Sequence, residues 1–115
     1  MSVLVDAGRA SWRWLHRQTA NPADYSQQGA AGVQLLAFIR GVRSDDLFAS
    51  AMQQDVVAVL DAADFAALFP AHPTPARYDR LRTPRGITYS VEEWRGSPND
   101  DEPVFFKCLI RGGQQ

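Results

Sequence analysis

The stretch from Arg77 to Gly96, RYDRLRTPRGITYSVEEWRG, sets apolar residues at alternate positions on either side of Pro84-Arg85-Gly86. Successive side chains of a strand point to opposite faces. Leu81, Ile87, Tyr89 and Val91 therefore share one face, and Thr88, Ser90 and Glu92 the other. Proline fixes φ and glycine accepts positive φ, so the residues between the two runs form a hairpin turn. A hairpin patterned this way must bury one face, which commits the chain to a β architecture. The alternation breaks at Glu92-Glu93-Trp94, where strict period two would turn Glu93 inward and Trp94 outward. A one-residue bulge at Glu92-Glu93 returns Trp94 to the core and bends the strand, as the corners of a small barrel require.

The remaining elements follow from similar patterns. Val3, Ala7, Ala10 and Trp14 recur at helical spacing, which predicts an amphipathic helix over residues 4–17, closed by Asn21-Pro22. A short strand near 23–26 precedes the turn-like Gln28-Gly29-Ala30-Ala31-Gly32. Residues 33–44 are apolar at both parities, the signature of a strand covered on both faces. Ser44 to Gln54 is polar, with Leu47, Phe48 and Met52 scattered through it, and forms a long flexible loop. Val-rich residues 55–61 make a strand, followed by one or two helical turns over 62–69 with Asp61 as N-cap. His72-Pro73-Thr74-Pro75 is a stiff connector, the hairpin strands lie near 78–83 and 87–95, and residues 103–111 form the last strand. The expected fold is mainly β: a small barrel or sandwich of five to seven antiparallel strands over residues 24–111, with an N-terminal helix and a tail at 112–115.

Length and composition bound what such a fold can do. At 115 residues the chain is one domain with one modest core. The net charge of −1 gives no overall footprint for nucleic acid or anionic membrane, and no apolar run approaches the length of a membrane span. Met1 to Asp6 shows no basic region ahead of an apolar stretch, which argues against a secretory signal. The single cysteine, Cys108, excludes an internal disulfide and fits a reducing compartment. Charge is distributed in blocks. Residues 1–43 hold five arginines against Asp6 and Asp24; residues 44–75 hold five aspartates and no Lys or Arg; residues 76–95 hold five arginines against Asp79, Glu92 and Glu93. The blocks read either as complementary patches for neighbouring copies of the chain or as an ordinary solvated surface.

No catalytic or metal-binding constellation stands out. His16 and His72 are isolated, and no Cys-x-x-Cys, His-x-x-His or His-Glu-x-x-His spacing exists for zinc. Cys108 falls mid-strand, where a buried inert thiol is the ordinary case. Gly29 and Gly32 precede a strand rather than a helix, so they are not a phosphate loop. Asn99-Asp100-Asp101-Glu102 lacks the spacing of a calcium loop and reads as a hairpin tip. Arg77, Arg80, Arg82 and Arg85 beside Tyr78 or Trp94 would suit single-stranded nucleic acid, although the net charge and the lone lysine argue against it.

Several segments recur in a telling order. They are Phe38-Ile39-Arg40-Gly41-Val42, a loop, Val56-Val57-Ala58-Val59 running into Asp64-Phe65, Asp79-Arg80-Leu81, Gly86-Ile87-Thr88-Tyr89-Ser90-Val91, an acidic turn, and Leu109-Ile110-Arg111-Gly112. Over roughly residues 30 to 113 this order resembles the small head–tail joining proteins of long-tailed phages, the lambda-type tail-attachment family. The resemblance implies a small β-barrel that assembles as a ring on the portal side of a DNA-filled head, closes it and offers a docking surface to the tail. It implies no catalysis, no cofactor and no metal, and a place in the virion, with assembly in the bacterial cytoplasm. The implied partners are portal or head-completion proteins, tail proteins and further copies of the chain, with no membrane and no direct nucleic-acid contact. By position, the loop that orders on contact is 44–54, with Asp45, Asp46, Leu47, Phe48 and Met52 as its contact residues. The acidic 44–64 block of one copy would then face Arg77, Arg80, Arg82 and Arg85 of the next. The alternative is a small barrel used as a binding module for nucleic acid or a bacterial protein.

Overall fold

The computed structural model describes residues 15–28, 30–43, 46, 48, 49, 51, 55–97 and 101–114. Six strands, β1 (Asn21–Ser26), β2 (Val33–Gly41), β3 (Val56–Asp61), β4 (Arg80–Arg82), β5 (Thr88–Ser97) and β6 (Phe105–Gln114), close into an antiparallel barrel in the order β1-β2-β3-β6-β5-β4. Among the described residues two α-helical segments accompany them: α1, of which residues 15–19 are described, and α2 (Ala62–Leu68). Most of the expected N-terminal helix, residues 4–14, lies outside the described residues. Where it is described it runs two residues beyond 17, and the Ala20 N–H donates to the His16 carbonyl at 2.7 Å.

The expected hairpin is β4–β5. Leu81 faces Tyr89 across the strand pair, and the Thr83 and Gly86 N–H groups close the turn onto Ile87 and Thr83 carbonyls at 2.9 Å each. Gly86 has φ 88°, a conformation that favours glycine. The bulge falls where the broken alternation places it. Val91 pairs with Ile110, Glu93 with Leu109 and Trp94 with Cys108, leaving Glu92 as the extra residue. Trp94 accordingly packs against the core, its ring 5.4 Å from that of Phe106 in an edge-on contact.

Inward residues of alternating parity fill the barrel: Tyr25, Leu35, Ala37, Ala58, Leu60, Leu81, Val91, Phe106, Cys108 and Ile110. Helix α2 begins where β3 ends because the Asp61 carboxylate accepts the Asp64 N–H at 3.0 Å, which caps the helix. It lies against the barrel and sends Phe65 into the core, edge-on to Tyr25 at 5.0 Å and to Phe106 at 5.6 Å. Aromatic pairs in this geometry add to the stabilisation from burial alone.

Three expectations are corrected. Gly112 and Gly113 are part of β6 rather than a tail, with Tyr89 opposite Gly112 and Thr88 opposite Gln114. A Cβ on Gly112 would lie 2.4 Å from the Thr88 carbonyl oxygen, so the glycine is there to let two backbones meet. Asn21-Pro22 does not merely end a helix; it opens β1, with Pro22 opposite Leu36. The apolar packing also exceeds a single core. Val57, Val59 and Leu109 are buried although alternation points them away from the barrel interior, so the outside of β3 and β6 is covered as well.

Candidate interaction surface

Two charged regions flank the barrel, and the sequence-derived contact residues divide between them. The first lies on the outside of β2, β3 and β6. Asp46, buried at 2% exposure, accepts two hydrogen bonds from the Arg40 guanidinium at 2.7 and 2.9 Å, one from the Arg43 N–H at 2.7 Å and one from Lys107 Nζ at 3.3 Å. The Arg40 pair, helped by the Arg43 N–H and Lys107, holds the Asp46 carboxyl well below the usual carboxylate range even though burial opposes this. Further along the loop, the Ala49 N–H donates to the Glu93 carboxylate at 3.1 and 3.2 Å. Buried Asp55 then receives both Nε and a terminal nitrogen of Arg111, at 2.9 and 2.8 Å. Arg111 also donates to Glu92, the bulge residue, at 3.2 Å. The described residues Asp46, Ala49 and Asp55 are thus tied by their own bonds to the outside of the barrel.

This arrangement corrects the expected role of the acidic block. Asp46, Asp55 and Asp61 are buried and engaged with groups of their own chain, so they do not offer charge to a neighbour. Of the remaining loop residues, Phe48 is half-buried, and Asp45, Leu47 and Met52 lie outside the described residues.

The second region is the outside of β4 and the turns flanking it. Arg77, Arg80, Arg82 and Arg85 are all exposed. Arg80 lies opposite Ser26 on β1 and Ser90 on β5; Arg82 lies opposite Asp24 and Thr88. Directly opposed side chains on one face are those that interact across a sheet. Arg80 is therefore flanked by the hydroxyl-bearing Ser26 and Ser90, and the Ser90 hydroxyl donates to the Glu92 carboxylate at 3.0 Å. Arg77 makes a long contact of 3.8 Å with Glu92 and stacks over the Tyr78 ring at 4.8 Å.

Tyr78 is unusual in two respects. It is 52% exposed, and its φ of 74° places a bulky residue in the left-handed region. Such a conformation costs on the order of 1–3 kcal/mol and persists only when the surroundings enforce it. The enforcement comes from Asp79, 1% exposed. Its carboxylate accepts hydrogen bonds from Tyr25 Oη at 2.6 Å, the Ala76 N–H at 2.9 Å and the Gln28 N–H at 3.2 Å. Backbone bonds from the Tyr78 N–H to the Val91 carbonyl, and from the Val91 N–H to the Asp79 carbonyl, fix the same turn at 2.8 Å each. Burial, with Cys108 and Asp79 nearby, pushes the Tyr25 phenol far up, so it remains a donor to Asp79.

Of the other chemistry-bearing groups, Cys108 lies in the core, and His16 lines a hollow with Arg40, Arg43 and Lys107 of the first region. Cys108 is 1% exposed, and burial pushes its thiol up, away from thiolate formation. His16 is buried, donates from Nε2 to the Leu36 carbonyl at 3.3 Å, and has its pKa lowered chiefly by burial. Among the described residues no group of three or more His, Cys, Asp or Glu is placed to hold a metal ion, and no helix is long and apolar enough to cross a membrane. No family model and no curated protein matches the chain.

Sequence reasoning placed the arginines on one hairpin with Tyr78 beside them, but missed the left-handed backbone of Tyr78, the Asp79 hub and the strap residues Arg40, Asp55, Lys107 and Arg111. Arg40, Lys107 and Arg111 occupy the outward parity of their strands, and three cations there over apolar Val57 and Val59 could have signalled buried acid partners. Nothing in a tyrosine announces a left-handed backbone.

Proposed function

We propose that the chain is a structural subunit joining the DNA-filled head of a tailed phage or prophage to its tail, in a ring on the portal side. It acts without catalysis or a cofactor, through contacts with portal or head-completion proteins, tail proteins and copies of itself, in the virion and, during assembly, in the host cytoplasm. The observation that carries this reading is the division of charge on a closed barrel. Asp46, Asp55 and Asp61 are turned into internal ties, while Arg80 and Arg82 stand exposed on an outer face. A closed barrel has no strand edge, so its neighbours must bind by side chains, and an exposed arginine face is such a binding surface. The ordered motifs from Phe38 to Gly112 add the resemblance to joining proteins.

Deletion of the gene tests the reading directly. The expected result under electron microscopy is filled heads and free tails that do not join, restored by supplying the gene in trans. Normal tailed particles after deletion would overturn it. A second reading has one observation in its favour: an exposed Tyr78 stacked with Arg77 beside Arg80 suits single-stranded nucleic acid. Salt-sensitive anisotropy changes with a labelled oligonucleotide would favour that reading.

A further inference from the structure

Arg80, Arg82 and Arg85 are exposed, and among the described residues none of their guanidinium groups meets a carboxylate. We infer that they line a track for one strand of nucleic acid, with a base stacked on Tyr78 over the neighbouring hollow and the adjoining phosphates on the three arginines. This rests on the nucleic-acid reading of the β4 face and gives each residue its part.

The arginines run in a row. Arg80 and Arg82 share the outward parity of β4, and residues two apart on a strand are separated by about 6.6 Å. A Cβ on Gly86 would lie 3.9 Å from an Arg82 terminal nitrogen, so Arg82 reaches toward the turn that carries Arg85. Successive phosphates of an extended strand can meet such a row, and the planar guanidinium fork offers each phosphate two hydrogen bonds. Of the described carboxylates, Asp24 lies opposite Arg82, while Glu92 is already engaged by Arg111 and the Ser90 hydroxyl. Charge alone would suit an acidic peptide equally well, and the aromatic end of the row decides for nucleic acid. Tyr78 is 52% exposed and held at φ 74° by the bonds of the buried Asp79 carboxylate. Strain enforced by a buried hub presents the ring for contact. Beside it is a hollow of about 640 Å³, lined in part by Ser26, Gln28 and Arg80. Among the described residues the Gln28 side-chain amide and the Ser26 hydroxyl have no hydrogen-bond partner. They therefore offer donors and acceptors to the edge of a base whose face lies on Tyr78. A carboxylate side chain has no planar ring to stack there.

Anisotropy of a short labelled single-stranded DNA with the full-length chain, across a salt series, provides the test. The wild type is expected to bind with an affinity that falls as salt rises. R80A/R82A should lower the slope of log affinity against log salt by about 0.7 for each phosphate contact removed. Tyr78→Leu should weaken binding by at least about fivefold without changing that slope, because stacking releases no counterions, and Tyr78→Phe should bind like the wild type. Thermal melts check that every variant folds. Salt-sensitive binding that both Tyr78→Leu and R80A/R82A leave unchanged would overturn this site while the nucleic-acid reading stands; no binding at low salt would overturn both. Polyglutamate that displaces the strand at equal charge concentration as well as unlabelled DNA does would overturn the assignment in favour of an acidic protein partner.

Discussion

On the outside of β2, β3 and β6, Asp46 and Asp55 are buried against Arg40, Lys107 and Arg111; on the outside of β4, Arg80 and Arg82 stand exposed, flanked by Ser26, Ser90, Thr88 and Asp24. Both faces belong to one sheet and both draw on charge-dense stretches of sequence. The difference lies in what covers them. The strapped face has apolar Val57, Val59 and Leu109 beneath it, and a segment that covers them must carry its polar groups into partly dry surroundings, where they are tolerated only in pairs. The β4 face is short, with serines and a threonine at its flanks, so its cations remain in water. Charge that is buried becomes architecture, and charge left in water remains available to a partner.

The largest expected effect is on the strapped face. Asp46→Asn leaves Arg40 and Lys107 partly desolvated without their anion, and removing one member of a buried pair costs about 3 kcal/mol or more. Urea unfolding measures it, and a loss below about 0.5 kcal/mol, the scale of an ordinary surface change, would erase the distinction between the faces. Acid provides the second test. The folded-state pKa of Asp46 lies below its unfolded value. Its contribution is therefore complete above the ordinary carboxylate range and is lost as the pH falls through that range toward the folded value. Melts of wild type and Asp46→Asn should therefore converge as the pH drops below about 4, and parallel curves would show that Asp46 is not the acid-sensitive strap.

His16 gives a smaller effect of the same sign. Its pKa is lowered from the ordinary 6.5, so the neutral form favours the fold; the contribution is full above that pH and falls away below it. Melting at pH 8 and pH 5.5 should separate for the wild type and separate less for His16→Gln. On the open face, Tyr78→Gly relieves the left-handed backbone and should leave stability unchanged or raise it by up to about 1 kcal/mol, although a destabilised variant would mean the ring is a packing element. The smallest effect belongs to R80E/R82E, expected within about 0.5 kcal/mol of wild type by the same urea measurement. A large loss there would make the β4 arginines structural and remove the contrast.

Much of the barrel was legible because local rules governed it. The alternation at 77–96 located β4, the turn, β5 and the Glu92 bulge, and Asp61 announced the start of α2. What sequence reasoning missed depended on contacts distant in sequence. Gly112 has the composition of a tail residue, and only the approach of Thr88 explains it. Asp46 and Asp55 look like surface acids until Lys107 and Arg111, more than fifty residues away, arrive beside them. Arg77, Arg80, Arg82 and Arg85 were recognisable as a group, whereas the tyrosine they surround owes its posture to Asp79, whose bonds reach back to Tyr25 and Gln28.

The closure of β1 onto β4 has a consequence for crowding. Many copies packed at high local concentration would, with an open sheet, compete to extend one another strand by strand into fibres. Here every strand has two neighbours within its own chain, so crowding cannot seed that growth. Recognition is left to individual side chains, each of which evolution can exchange singly to redirect specificity without unravelling the subunit that carries it.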